Sequence, residues 1–172
     1  IELRGPIPPD LRPAVGNRVF GCDICQEVCP WNVRFADPAE EPAYAPGPGL
    51  DLPPLTELAD RVLALDEDGF RRVFRASPLW RARREGLLRN LCVGLGNALA
   101  ASSGDPGAVA VLRRALDDPH PLVRGHAAWG LGRVRGGGSD AADARHALEE
   151  REGRESDEEV RAEIRGSLAA LG

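Results

Sequence analysis

Methionine and lysine are both absent from this sequence, and no apolar run is long enough to cross a bilayer. Because translation starts at methionine, a 172-residue chain that begins with Ile1 and has none anywhere is expected to be part of a longer protein. A secretory leader is not visible, which argues against an oxidised, disulfide-framed exterior. No Ser-His-Asp arrangement, phosphate loop or pair of catalytic carboxylates emerges along the chain. The net charge of −5 gives no global attraction to nucleic acid. At 42% hydrophobic content the chain can bury a core of one or two modest domains.

The most informative stretch is GCDICQEVCPWN, residues 21–32, where Cys22, Cys25 and Cys29 are separated by gaps of two and three and followed by Pro30. The bacterial ferredoxin run is C-x2-C-x2-C-x3-C-P, and its last three cysteines and proline are reproduced here. The first cysteine of that run would fall at position 19, which is Val19. Short irregular gaps let several thiolates converge on a 4Fe-4S cluster, and the cysteine before the proline serves the other cluster in two-cluster ferredoxins. Cys22 and Cys25 are therefore expected at one cluster and Cys29 at a second, with neither set complete. Three neighbouring cysteines cannot all pair as disulfides, and structural zinc lacks a nearby fourth ligand because His120, His126 and His146 lie far downstream. Iron–sulfur ligation is the favoured reading, with zinc as the alternative.

Proline divides the chain, since 11 of its 15 prolines lie at or before Pro54. That density excludes regular helix from much of the first third and predicts a Pro/Gly-rich linker over 37–54 between a partial ferredoxin-like segment, 1–36, and a helical domain, 55–172. In the helical part LRNLCVGLGNAL, RGHAAWGLGRV and RAEIRGSLAAL superpose, with Leu95, Leu131 and Leu168 corresponding at steps of 36 and 37 residues. These steps fall slightly below the roughly 40 residues of HEAT-type helix pairs. PGAVAVLRRAL and DAADARHALEE supply the partner helices, and Asp118 and Ser156 are expected helix starts. Cys92 lies in the stripe Leu88, Leu91, Leu95 and Leu99 and reads as a small buried hydrophobe rather than a remote ligand. Trp129 reads as packing, and His120 and His126 as surface or capping residues.

Charge is uneven. Residues 70–100 contain seven arginines against Glu85 alone, a local excess of +6. Such a segment can bind phosphates or can be a solvated helix face, and an all-arginine composition weakens the first reading. Arg75, Arg81, Arg83 and Arg84 are the candidate contacts, with Arg89 at the border of the apolar stripe. On an unbroken helix Arg81 and Arg84 fall on the same side as Leu88 and Cys92 and would overhang the edge of the stack.

Together, IELRGPIPPDLRPAVGNRVFGCDICQEVCPWN, FRASPLWRARREGLLRN with GLGNAL, and DDPHPLVRGHAAWGLGRV resemble the C-terminal half of epoxyqueuosine reductases. The resemblance implies a cytoplasmic, cobalamin-dependent oxidoreductase of tRNA processing that reduces epoxyqueuosine to queuosine at the wobble position. It implies 4Fe-4S clusters with Cys22, Cys25 and Cys29 among their ligands, a HEAT-like domain that helps bind the anticodon region of tRNA, and an electron-donor protein. The family's upstream cysteine motif, corrinoid domain and catalytic acid have no counterpart in these residues, so the chain alone is expected to be inactive. A non-catalytic HEAT-repeat interaction module with a ferredoxin-like lead is the alternative.

Overall fold

The computed structural model describes residues 1–38, 40–44, 53–101 and 106–172, which contain helices and turns and no strand. Three short helices come first, α1 (Arg12–Val15), α2 (Ile24–Glu27) and α3 (Pro30–Phe35), then a 3₁₀ turn at Pro42–Tyr44. The main body follows as α4 (Leu55–Leu63), α5 (Glu67–Phe74), a second 3₁₀ turn (Pro78–Ala82), α6 (Arg83–Ala101), α7 (Pro106–Ala115), α8 (Pro121–Leu131), α9 (Ser139–Arg154) and α10 (Glu158–Ala170). The mainly α architecture is the one the repeat spacing predicts. Residue 39 and residues 45–52 of the expected linker lie outside the described residues.

Helices α6, α8 and α10 form one layer, and α4, α7 and α9 cover it as the partner layer. The core runs along their contact from Phe70 and Leu87 through Leu112 and Leu131 to Leu148 and Ile164. Cys92 is inside it, and burial pushes its thiol far above the ordinary range, with Asp118 adding to that. The small residues flanking the repeat leucine set the spacing within the first layer. A Cβ on Gly96 would stand 2.8 Å from the Gly130 Cα and 2.9 Å from the Trp129 ring. One on Gly132 would stand 2.7 Å from the Ser167 Cβ. The inner helices therefore cross nearly backbone to backbone.

Two of the predicted helix starts move. The cap of α8 is His120, whose Nδ1 accepts from the Leu122 N–H at 3.2 Å, because Pro121 is at the first helical position. Asp118 instead turns inward, accepting from the His120 N–H at 2.9 Å and pairing with Arg84 at 2.6 Å. In α10 the cap is Asp157 rather than Ser156, with its carboxylate accepting from the N–H groups of Glu159 and Val160.

The proline-rich lead is not separate from the stack. Its backbone has few hydrogen bonds of its own, and side chains of the inner layer supply them. Asn90 Nδ2 donates to the Val19 carbonyl at 2.7 Å. Asn97 Nδ2 donates to the carbonyls of Arg12 and Gly16, each at 2.9 Å. His126 Nε2 accepts the Ile7 N–H at 3.1 Å, and Arg12 forks onto Glu163 at 2.8 and 3.0 Å while lying over the Trp129 ring. Asn90, His126 and Glu163 are separated by the same steps of 36 and 37 residues as the repeat leucines, so one repeat position carries three of these four grips, Asn97 being the exception. His126, expected at the surface, is 2% exposed for this reason.

Because its Nε2 accepts, His126 carries its proton on Nδ1, 2.8 Å from the Leu122 carbonyl. Burial, countered in part by that carbonyl and reinforced by the charges of Arg12 and Arg89, lowers its pKa from the ordinary 6.5 to about 4. The unfolded chain then binds one more proton than the folded chain between these values. Stability is full above pH 6.5 and falls as pH drops towards 4, by on the order of 3 kcal/mol. Replacing His126 by Gln, which can still accept from Ile7, should flatten the urea-midpoint profile across this window; an unchanged slope would remove His126 from the balance. A second expectation concerns the helix crossing. Gly96→Ala should cost about 1–3 kcal/mol in thermal unfolding, because the neighbour is backbone and cannot yield. Gly86→Ala, with nothing within 4 Å of the added carbon, should be neutral or gain up to about 1 kcal/mol.

Candidate metal centre and nucleic-acid interface

The cysteine segment starts where the grip of the stack ends. Val19 and Phe20 pack against the core, Val19 beside Gly94 of α6. The position where the ferredoxin run has its first cysteine is thus a packing position here. Beyond it Cys22 and Cys25 are exposed and Cys29 is half-buried, all as free thiols. Cys25 is within α2. Cys29 is in extended backbone just before Pro30, which opens α3, and Asn32 Nδ2 ties the two short helices together through the Gln26 carbonyl and side-chain oxygen at 3.2 and 2.6 Å.

Among the described residues no three Cys, His, Asp or Glu side chains gather into a group that could hold a metal ion. The donors are chemically suited to iron–sulfur ligation, being accessible thiols on short irregular segments, but they form a partial set. The same segment exposes Val28, Trp31, Val33 and Phe35, with Trp31 stacked on Phe35 at 5.3 Å and Arg34 over the Phe35 ring. The thiols are therefore bordered by an unusually apolar surface.

The five candidate arginines separate into two kinds. Arg75, Arg81 and Arg83 are exposed. Arg84 and Arg89 are not, and the expectation that Arg84 overhangs the edge of the stack is corrected. Arg84 is 6% exposed, donating from Nε to the Leu65 carbonyl at 2.6 Å and forking onto the carboxylate of Asp118. Arg84 keeps the phase of Leu88 and Cys92 inside α6, but that face is buried at this level as well, so the side chain is drawn inward; the break at Arg83 takes only Arg81 off that face. Arg89 is 2% exposed, and its donors go to the carbonyls of Leu3 and Gly5 and to Asn90 Oδ1. Burial, followed by the charge of Arg4, lowers its pKa, and Glu85 opposes the shift. Neither guanidinium is available to a phosphate.

A third buried arginine escapes a reading of charge density altogether. Arg124 pairs with Glu155 at 2.8 and 2.9 Å. Burial raises the Glu155 carboxyl, but hydrogen bonds from Arg124, the Asp157 N–H and Arg151 outweigh it and leave the pKa at about 2. Arg84 with Asp118 and Arg124 with Glu155 are equivalent latches, each joining the start of one inner helix to the loop before the next. Glu2, which no charge count selects, pairs with exposed Arg81 and draws the first residues of the chain to the basic corner. No helix among the described residues is long and apolar enough to cross a membrane.

Comparison with known proteins matches two separate regions of the chain. The profile of the 4Fe-4S double cluster binding domain matches residues 1–32, and that of HEAT repeats matches residues 85–169. The epoxyqueuosine reductase of Alicycliphilus denitrificans is 45% identical over 135 residues, covering 76% of this chain and 36% of that protein. That of Bacillus cereus is 36% identical over 171 residues, 99% of this chain and 41% of its own length. A solved structure of epoxyqueuosine reductase with an epoxyqueuosine-modified tRNA-Tyr stem loop superposes with a TM-score of 0.79 at 31% identity, covering 99% of this chain and 42% of that one. A structure of the Bacillus subtilis enzyme superposes equally well, with the same TM-score of 0.79. The chain thus spans between about a third and two fifths of the length of these relatives. With reductases matched along nearly its whole length in both sequence and fold, and with its cysteine segment and its helix pairs each matched separately, the chain belongs to the epoxyqueuosine reductase family.

Proposed function

We propose that this chain is the cluster-ligating and tRNA-binding part of a cytoplasmic reductase that converts epoxyqueuosine to queuosine at the wobble position of tRNA. The observation that carries this reading is the near-complete match to reductases together with a cysteine segment fixed, through Val19 and Asn90, to a helical stack with an exposed basic corner. Residues 1–36 provide Cys22 and Cys25 to one 4Fe-4S cluster and Cys29 to a second. Residues 37–54 link them to the repeat domain, 55–172, which binds the anticodon region. The remaining cluster thiolates and the cobalamin site belong to parts of the reductase outside this chain, and the electron donor is a separate protein.

When bound, the clusters supply one-electron transfer. The chain's own contribution is to hold its thiols at fixed positions relative to the bound RNA. Arg75, Arg81 and Arg83 are solvent-facing cations on a rigid scaffold, able to fork onto phosphate oxygens and release counterions. Arg84 and Arg89 maintain the surface on which they stand.

Two measurements test this reading. Anaerobic reconstitution of residues 1–172 should give substoichiometric, labile iron and sulfide, whereas the complete reductase retains its clusters; a full, stable 4Fe-4S cluster on the isolated chain would overturn the division of Cys22 and Cys25 from Cys29. In the complete enzyme, changing Arg75, Arg81 and Arg83 together to Gln should weaken tRNA binding and reduce its salt slope by up to about three, one for each phosphate no longer neutralised. Helix content should be unchanged. Arg84→Gln should behave differently, losing about 3–5 kcal/mol of stability because it strands buried Asp118. Unaltered tRNA affinity in the triple variant across a salt titration would make the basic corner a solvated face.

A further inference from the structure

We propose that the corner between the Pro78–Ala82 turn and α6 holds one unpaired nucleotide of the RNA, its base against Trp80 and its phosphate on Arg83. This rests on the tRNA-binding reading above and specifies which RNA feature the corner takes. Arg83 has φ 60° and ψ 169°, the one positive φ at a non-glycine residue among the described residues. This region is almost restricted to glycine, and residues held in it cluster at functional sites when their surroundings over-determine them. Here they do. Ala82 before it is 2% exposed, Arg84 after it is locked onto Leu65 and Asp118, and the Arg83 N–H bonds the Trp80 carbonyl. Glycine would relieve the strain; arginine keeps a guanidinium in solvent, without a carboxylate partner among the described residues.

Trp80 is the second observation. One side of its indole packs against buried Phe70, with ring centroids 6.1 Å apart, yet the residue is 36% exposed. The Arg71 guanidinium lies over the indole, 5.8 Å from the ring centroid, so an incoming base takes the place of this exposed, mobile-ended side chain on the ring face; Arg72 and Arg75 are exposed nearby in sequence. An exposed aromatic ring with planar cations around it is the arrangement that stacks single bases without regard to sequence. A paired base shows only its edges in the grooves, so such a ring serves an unpaired nucleotide and not a duplex. The Arg83 N–H bonded to the Trp80 carbonyl fixes against each other the two backbone positions from which the cation and the ring extend.

The test uses the complete reductase and two RNA probes, an anticodon stem–loop and a blunt duplex of the same stem, each followed through a salt titration. Trp80→Leu should weaken the stem–loop about 5- to 100-fold, leaving the duplex and both salt slopes as in the parent. Trp80→Phe, which keeps an aromatic face, should retain most of the affinity and shows that Trp80→Leu acts through stacking and not misfolding. Arg83→Gly should raise the Tm by about 2–5 °C while lowering the salt slope by about one. Arg83→Ala should lose the same affinity without the gain in Tm. The proposal fails if Trp80→Leu binds the stem–loop like the parent or weakens both probes alike. It fails equally if Arg83→Gly gains no stability or keeps parental affinity. Arg75→Gln with Arg81→Gln separates the two levels: binding lost there but kept in the Trp80 and Arg83 variants sinks only the nucleotide corner, whereas binding kept in all of them sinks the tRNA reading itself.

Discussion

A proline-rich backbone cannot satisfy its own hydrogen bonds, and the structure depends on how another part of the chain satisfies them. Residues 3–19 lie on the inner helices, and Arg89, Asn90, Asn97 and His126 supply the missing donors and acceptor. A segment of this kind would otherwise be solvated and variable in shape. Fixing it fixes Val19, and Val19 is three residues from Cys22. The position of the thiols is therefore set by a repeat helix more than 60 residues later in the chain. A folded helical domain is a better reference for that purpose than the cysteine segment, whose own helices are one turn long.

Much of the fold can be read from the sequence because helix periodicity and repeat spacing are local properties. Leu95, Leu131 and Leu168 give the three inner helices, and the glycines beside them mark the close crossings. Three of the polar grips follow the same steps, so aligning the repeats on their leucines also aligns Asn90 with His126 and Glu163. Three different polar residues at one buried-side position are a signal that something other than an apolar neighbour covers it. Hydrophobic patterning alone passes over that signal, and for this reason it places His126 at the surface.

The arginines are the less legible part. Arg84 and Arg89 are indistinguishable from Arg81 and Arg83 by local charge, and what separates them is 34 and 84–86 residues away, at Asp118 and at the carbonyls of Leu3 and Gly5. The positive φ at Arg83 also breaks the helical phase between Arg81 and α6, so Arg81 leaves the face on which Arg84, Leu88 and Cys92 are buried. A run of arginines cannot reveal such a break, because no residue in it has a preference for that conformation. The cysteine spacing is legible for the opposite reason, being a short-range constraint imposed by cluster size.

With no lysine in the chain, one residue type has to do the structural work and, on the proposed tRNA-binding reading, the recognition as well. Guanidinium suits both, because its planar fork matches a carboxylate in a buried pair and a phosphate oxygen pair at the surface. Which role each arginine takes is decided by whether a carboxylate or carbonyl already occupies the fork. Arg12, Arg84 and Arg124 meet Glu163, Asp118 and Glu155 and become joints of the stack. Arg75 and Arg83 meet no carboxylate among the described residues. The +6 of residues 70–100 is thus smaller as a surface than as a sequence, since two of its seven cations are internal and a third, Arg81, is shared with Glu2. On the proposed tRNA-binding reading, recognition at this corner depends less on the total charge than on a few cations held in place, and the buried pairs are what hold them.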